Sequence, residues 1–263
     1  LKYRGTNEAC FEIRQLVEKY PQYEFLKYTL LAAEKTTRSL TYMWPTVEQL
    51  LKMIKDANSR FVRNGEDLLD IIAESLSRLE REFHDVTPSV RDVWDKIESD
   101  SYKPVDESDL SDRIKRHLSN DLIDGGIVLG REVEIRPSVG SGTVQKVDIH
   151  IDAIGQKKQN QSIDIISAIV EVKGCWHDEL FSAMESQLVN KYLKESSCAF
   201  GLYLVGWFNC PQWDKAQDLN RYTAAFKIHD IQELKDKLNE QATALSNEDQ
   251  KIRAFVLDAR LHK

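Results

Sequence analysis

No stretch of this 263-residue chain approaches the roughly 20 consecutive apolar residues of a membrane-spanning helix, and its N-terminal residues carry no signal-peptide-like apolar run. These absences favour a cytoplasmic protein with no membrane partner. Cysteine is sparse: Cys10, Cys175, Cys198 and Cys210 are scattered, with no C-x-x-C pair. That pattern disfavours a zinc site or a disulfide framework and favours free thiols in a reducing compartment. Positive charge is also in deficit, with 36 Lys and Arg against 43 Asp and Glu, a net charge of −7. Phosphate affinity comes from clustered Lys and Arg, so a general polyanion-coating protein is disfavoured. An enzyme acting on nucleic acid remains open, because metal ions can supply local positive charge and another part of a larger protein can hold the polymer. No fixed-period repeat marks the chain as a solenoid. It begins at Leu1, not Met, which suggests a piece of something longer.

What is present is ordinary for a soluble domain: 41% hydrophobic and 30% charged residues, in a length that suits one large domain or two modest ones. Residues 1–100 read as almost wholly helical. Phe11, Ile13, Leu16 and Val17 suggest a helix ending at Tyr20-Pro21. Val47, Leu50, Leu51, Ile54 and Ala57 form an i, i+3, i+4, i+7 stripe after Pro45-Thr46, and Asp67–Leu79 gives another after the break at Asn64-Gly65. These stripes are expected to face a core. The polar stretch Ile97–Val105 is read as a boundary between a helical scaffold or regulatory domain, 1–100, and a second domain, 101–263. The helical part gathers no convergent acid cluster and is expected to carry no chemistry.

The second part opens with a helix bearing Leu110, Ile114, Leu118 and Leu122, whose acidic first turn suits the positive end of the helix dipole, and which ends at Asp124-Gly125-Gly126. Strands are expected at Ile127–Ile135, Val144–Ile154 and Ile165–Lys173, with turns at Gly140-Ser141-Gly142 and Gln156–Gln161. A helix over about Asp178–Leu193, a strand Phe200–Trp207, a helix Ile231–Leu245 and a strand Ala254–Leu257 follow. In Ile169–Lys173, Val170 and Val172 alternate with Glu171 and Lys173, so the acid and the amine share one face. Asp148, His150 and Asp152 likewise share a face of the preceding strand. If the strands are neighbours, Asp148, Glu171 and Lys173 converge. Two carboxylates and an amine suit a divalent metal held against a phosphodiester, with a water steered toward phosphorus. Asp152 is the alternative or auxiliary acid. His150 and His177 lack partners at metal-ligand spacing and read as surface histidines. Trp176, Trp207, Phe208 and Trp213 could stack bases but read better as core or rim packing.

This element order, with Asp on the second strand and Glu-x-Lys on the third, resembles the PD-(D/E)xK nuclease superfamily. The resemblance is good over about residues 105–210 and extends plausibly over the final helix and strand. It implies a restriction-endonuclease-like α/β core, a mixed central sheet flanked by helices, here preceded by an all-α region. It further implies that Asp148, Glu171 and the Val172 carbonyl bind Mg²⁺ or Mn²⁺ and that Lys173 orients the attacking water or offsets charge at phosphorus. An additional acid often comes from the first helix, for which Glu107 is best placed and Asp112 second. A glutamine on the helix after the Glu-x-Lys strand is common, and Gln187 fits. The RecB-like branch has a tyrosine four residues beyond that glutamine, whereas Tyr192 lies five beyond.

The segments Glu171-Val172-Lys173-Gly174-Cys175-Trp176 and Gly201–Trp207 are similar to nuclease domains at the C-terminal ends of large bacterial proteins with NTPase or helical-repeat regions, some in anti-phage defence. The expected partners are therefore nucleic acid, DNA in preference to RNA, and the remainder of a larger polypeptide or an NTPase. The resemblance also allows a homodimer, since many such nucleases pair to cut both strands, though no pattern here specifies one. The competing expectation is a catalytically inactive nuclease-like module used for nucleic-acid sensing or assembly.

Overall fold

Asn64 accepts a hydrogen bond from the Asp67 amide at 2.9 Å, and this N-cap starts the helix Gly65–His84. Its apolar stripe, Leu68, Leu69, Ile71, Ile72, Leu76, Leu79 and Phe83, is buried, and each such side chain removed from water contributes roughly 1.5–3 kcal/mol. The computed structural model describes residues 3–41, 46–55, 59–85, 89–98, 101–124, 128–129, 131–136, 148–155, 165–196 and 198–261. In chain order the elements are α1 (Asn7–Lys19), α2 (Glu24–Thr41), α3 (Val47–Lys55), β1 (Arg60–Phe61), α4 (Gly65–His84), a 3₁₀ turn (Ser89–Val93), β2 (Trp94–Glu98), β3 (Ser101–Pro104), α5 (Glu107–Leu118) and a π-helical turn (Ser119–Asp124). Next come β4 (Val128–Leu129), β5 (Arg131–Arg136), β6 (Ile149–Gly155), β7 (Ile165–Gly174), a wide π-type helix (Met184–Leu193), α6 (Lys194–Ser196), β8 (Phe200–Trp207), α7 (Leu219–Ala225), α8 (Ile231–Leu245) and β9 (Lys251–Asp258).

The fold is mixed α/β. Five strands form one sheet in the order β5-β6-β7-β8-β9, antiparallel across β5, β6 and β7 and parallel across β7, β8 and β9. Helices cover both faces. Phe200 meets Gly65 of α4, and Gly206 meets Leu110 of α5, so the face of β8 carrying even-numbered residues packs under those two helices. Gly201 meets Leu188 of the wide helix, which therefore covers the odd-numbered face. Coverage on both sides explains why β7 and β8 are almost continuously buried.

Several expectations are corrected. Residues 1–100 are not wholly helical: β1 pairs in parallel with β4, and β2 pairs antiparallel with β3. The polar stretch read as a boundary lies in this β2–β3 ribbon. The Trp94 indole donates to the Ala259 carbonyl at 2.7 Å, and the Asp214 backbone N–H donates to the Tyr102 carbonyl at 2.7 Å, fixing the ribbon to the C-terminal half. Only Trp94 is buried in β2 and only Pro104 in β3, so a two-stranded ribbon at the margin of the core carries a linker-like composition. α4 belongs to the same apolar core as the sheet, whereas α1 and α2 close a small separate cluster of Cys10, Ile13, Leu30 and Ala33.

The α3 stripe does not face a core. The helix buries none of its residues, and Val47 and Ile54 are 73% and 81% exposed. Periodicity shows that a helix has an apolar face, and says nothing of whether the chain supplies its cover. The helix expected from about Asp178 begins regular structure only near Met184, after a run of turns, and the strand expected at Ala254–Leu257 extends over Lys251–Asp258. The segment expected as a strand at Ile127–Ile135 is divided into β4 and β5. The expected turns at Gly140–Gly142 and Gln156–Gln161, the strand start at Val144–Val147, the Gly125-Gly126 stop, and Ala57 lie outside the described residues.

Candidate active site

Ile149 pairs with Val170, a register that sets Asp148, just ahead of β6, level with Glu171 on β7. The period-2 alternation of β7 turns Glu171 and Lys173 to the face covered by the wide helix, opposite Val170 and Val172. Asp148 Oδ2 accepts from the Val172 N–H at 2.8 Å, and Lys173 Nζ lies 2.8 Å from Glu171 Oε1. Glu107, the first residue of α5, reaches the end of β7, where its Oε1 accepts from the Gly174 N–H at 2.9 Å. Asp148, Glu171 and Lys173 are thus brought together, as the alternation in the sequence leads one to expect, and Glu107, expected only from the family resemblance, joins them. Val172 enters the site through its N–H.

Burial makes this group electrostatically tense. Glu171 is 2% exposed, and among the described residues no donor meets its buried Oε2, which faces a group crowded by the Asp148 carboxyl. Loss of solvent raises its pKa from 4.5 to about 7; the Asp148 charge adds to the rise, and Lys173 opposes it. Burial also raises Asp148, against the Val172 N–H and Lys173, which pull it down. For Lys173, burial works to lower the pKa, but Glu171, Glu107 and Asp148 carry it above its ordinary value. Three acids around one amine leave surplus negative charge in a largely dry place, a state that a cation would relieve.

Gln187 makes its hydrogen bond outside the group. It sits on the wide helix, where its Nε2 donates to Glu179 Oε2 at 2.8 Å, and among the described residues no hydrogen bond joins it to Asp148, Glu171 or Lys173. The five-residue spacing between Gln187 and Tyr192 falls on this wide helix, and Tyr192 is buried where Glu171 and Asp148 bear on it. Burial, reinforced by those charges, pushes its phenol up to about 12, so it stays protonated. Asp112, the second choice after Glu107, is exposed. Asp152 is buried away from the group, accepting from Ser167 Oγ at 2.6 Å with His150 Nε2 at 3.0 Å. It is a structural acid of the β6–β7 ladder.

His177 belongs nearer the site than a surface histidine. Its Nε2 is 3.9 Å from Glu107 Oε2, while Nδ1 accepts from the Glu179 N–H at 3.0 Å. Nothing in its local sequence signals this, because the approach depends on where α5 begins. Tyr203, level with Glu171 on the neighbouring strand, donates from its hydroxyl to the Leu180 carbonyl at 2.9 Å. Trp176, Trp207, Phe208 and Trp213 are all buried, with edge-on and tilted contacts among Trp176, Phe208 and Trp213, so they pack the core. The four cysteines are buried free thiols.

Among the described residues, no three His, Cys, Asp or Glu side chains form a ready-made metal cage. A magnesium-type ion does not require one: it is commonly bound by one or two carboxylates and keeps several waters. Asp148 and Glu171, with the orphaned Glu171 Oε2, fit that limited role. A cavity of about 520 Å³ lies elsewhere, lined by Ile165 and Ser167 at the opposite end of β7 together with Arg38, Arg63, Phe200 and Lys251. No helix among the described residues is long and apolar enough to cross a membrane. No family model matches the chain, and neither a curated protein nor a solved structure matches it.

Proposed function

We propose that this chain is a metal-dependent nuclease with a restriction-endonuclease-like core of the PD-(D/E)xK type, hydrolysing phosphodiester bonds of DNA. The observation that carries the reading is the convergence of Asp148, Glu171 and Lys173 on one sheet face, with Glu171 buried and one of its oxygens unmet. An antiparallel β5-β6-β7 ladder followed by parallel β8, joined to β7 through the wide helix, supports the same reading.

Asp148, Glu171 and the Val172 carbonyl would hold Mg²⁺ or Mn²⁺, with Glu107 assisting. When bound, the ion supplies polarisation of the phosphodiester and acidifies water. The chain's own groups do the rest. Glu171 anchors the Lys173 ammonium at 2.8 Å, so the amine can orient a water and offset charge growing at phosphorus without reorganising. The Val172 N–H fixes the rotation of the Asp148 carboxylate, and the Gly174 N–H does the same for Glu107. Service as an effector domain in bacterial anti-phage defence or restriction, within a larger polypeptide or beside an NTPase, follows from the sequence resemblance and belongs to the proposal.

The test compares plasmid, linear and single-stranded DNA, and RNA, with Mg²⁺, Mn²⁺ or EDTA. Asp148→Ala, Glu171→Ala and Lys173→Ala should each lower cleavage by about 100-fold or more while leaving the fold intact. Undiminished, EDTA-sensitive cleavage by Glu171→Ala overturns the assignment. A second reading, an inactive nuclease-like module for sensing or assembly, takes the 2.8 Å Lys173–Glu171 pair as a plain structural ion pair. Nucleic-acid binding without cleavage under every metal condition would support it.

A further inference from the structure

We infer that Arg221 is a positioning residue that clamps Glu107 onto the end of β7; the inference rests on the nuclease reading for its purpose, though its geometry stands alone. Arg221 lies on α7, 114 positions beyond Glu107 in the chain, yet its guanidinium gathers the whole entry to α5. Nη2 donates to the Pro104 carbonyl at 2.9 Å, and Nη1 to the Val105 carbonyl at 3.3 Å and to Asp106 Oδ1 at 3.2 Å. Nε is held by both oxygens of Asp218, at 3.0 and 2.8 Å, and Asp218 in turn accepts from the Trp213 indole at 3.2 Å. The residues gripped are the three immediately before Glu107.

The same guanidinium lies 4.8 Å from the centre of the Trp176 ring. That ring covers Gly174 so closely that a Cβ there would collide with it. Gly174 is the residue whose N–H holds Glu107. One planar cation therefore grips both partners of a single hydrogen bond: the chain leading into the acid, and the aromatic cover over its donor. The Asp106 side chain makes no capping bond to α5, so Arg221 supplies a fixation of the helix start that the usual N-cap does not. A lysine could repeat the charge but neither the fork nor the stacking.

The experiment reads the clamp directly, on the full chain and without metal. Amide hydrogen exchange at Gly174 is followed by NMR in the unaltered protein, Arg221→Gln, Arg221→Lys, Glu107→Ala and the double variant Arg221→Gln/Glu107→Ala. Arg221→Gln should speed exchange at Gly174 about tenfold, while Val172, held by Asp148, stays unchanged. Glu107→Ala should do at least as much, and the double variant no more than Glu107→Ala alone, because both act on one bond. Arg221→Lys, the milder change should Arg221→Gln fail to fold, should lie between. Calorimetric Mn²⁺ affinity should fall on the order of tenfold in Arg221→Gln. Unchanged Gly174 exchange in both Arg221 variants, or additive effects in the double variant, overturns the clamp. Absence of Mn²⁺ binding by the unaltered protein would instead count against the nuclease reading, and the Gly174 result would still decide the clamp.

Discussion

Replacing Glu171 by glutamine should make the metal-free protein more stable at pH 8, although it removes a buried ion pair. The folded carboxyl titrates near 7 against an ordinary value of 4.5, a gap that corresponds to roughly 3 kcal/mol at about 1.4 kcal/mol per pH unit. Between those two values the folded chain holds the proton and the unfolded chain does not. Stability therefore declines as pH rises through this window and levels off above about 7. Asp148, raised in the same direction, steepens the lower part of the decline. Lys173 adds nothing there, because its pKa is raised from 10.5 and its contribution is lost only at higher pH. Glutamine keeps the shape and a carbonyl for Lys173 but has no proton to lose, and Asp148 and Glu107 still balance the ammonium. Urea unfolding in EDTA between about pH 5 and pH 8 should show the unaltered protein losing up to roughly 3 kcal/mol more than Glu171→Gln. Parallel profiles for the two proteins would refute the account of Glu171 as a buried, charge-crowded acid.

Saturating Mn²⁺ should raise the melting temperature of the unaltered protein by several degrees, since ligand at about 100 times its Kd is worth about 2.7 kcal/mol, and should leave Glu171→Gln nearly unmoved; equal shifts in both would place the ion elsewhere. Leu76→Ala, at a fully buried position on α4, should cost about 2–5 kcal/mol in denaturant unfolding, whereas Ile54→Ser on α3 should stay within about 0.5 kcal/mol; a large loss at Ile54 would show that the stripe is covered after all. Burial pushes the thiols of Cys175 and Cys198 up to about 12, so both should resist iodoacetamide at pH 8 until the protein is unfolded, as followed by mass spectrometry.

The sequence was most legible where one local rule operated without competition. Phe200–Trp207 and Ile231–Leu245 have the bounds expected from their apolar patterns, and the strict alternation Val170-Glu171-Val172-Lys173 reports its own two faces. The β2–β3 ribbon reads as a linker because its composition is polar, and its anchorage lies in contacts far along the chain, such as the Trp94–Ala259 bond across 165 positions and the Tyr102–Asp214 bond. The α3 stripe was misread for the converse reason: amphipathicity is local, but its cover is not. Asp148, Glu171 and Lys173 were accessible because strand alternation can be read from neighbours in the chain, whereas Glu107 was named through the family resemblance alone. His177 and Arg221 were not, because each matters through a contact fixed by the tertiary path alone. Gln187, named through the resemblance, has its amide on Glu179, a contact that no local pattern signals.

The placement of β9 bears on how the chain is made. β9 is an outer strand of the main sheet, lies against α4 and α8, and brings Ile252, Val256, Leu257, Ala259 and Leu261 into the core, while Ala259 receives the Trp94 indole. A nascent chain emerging from the ribosome therefore presents Asp148 and Glu171 well before the strand that completes the sheet behind them. Until residue 261 is free, one edge of β8 and part of the apolar stripe of α4 remain open. A product lacking β9 would carry Asp148, Glu171 and Lys173 on a sheet whose β8 edge stays unpaired, so completion of the sheet that backs them waits on β9.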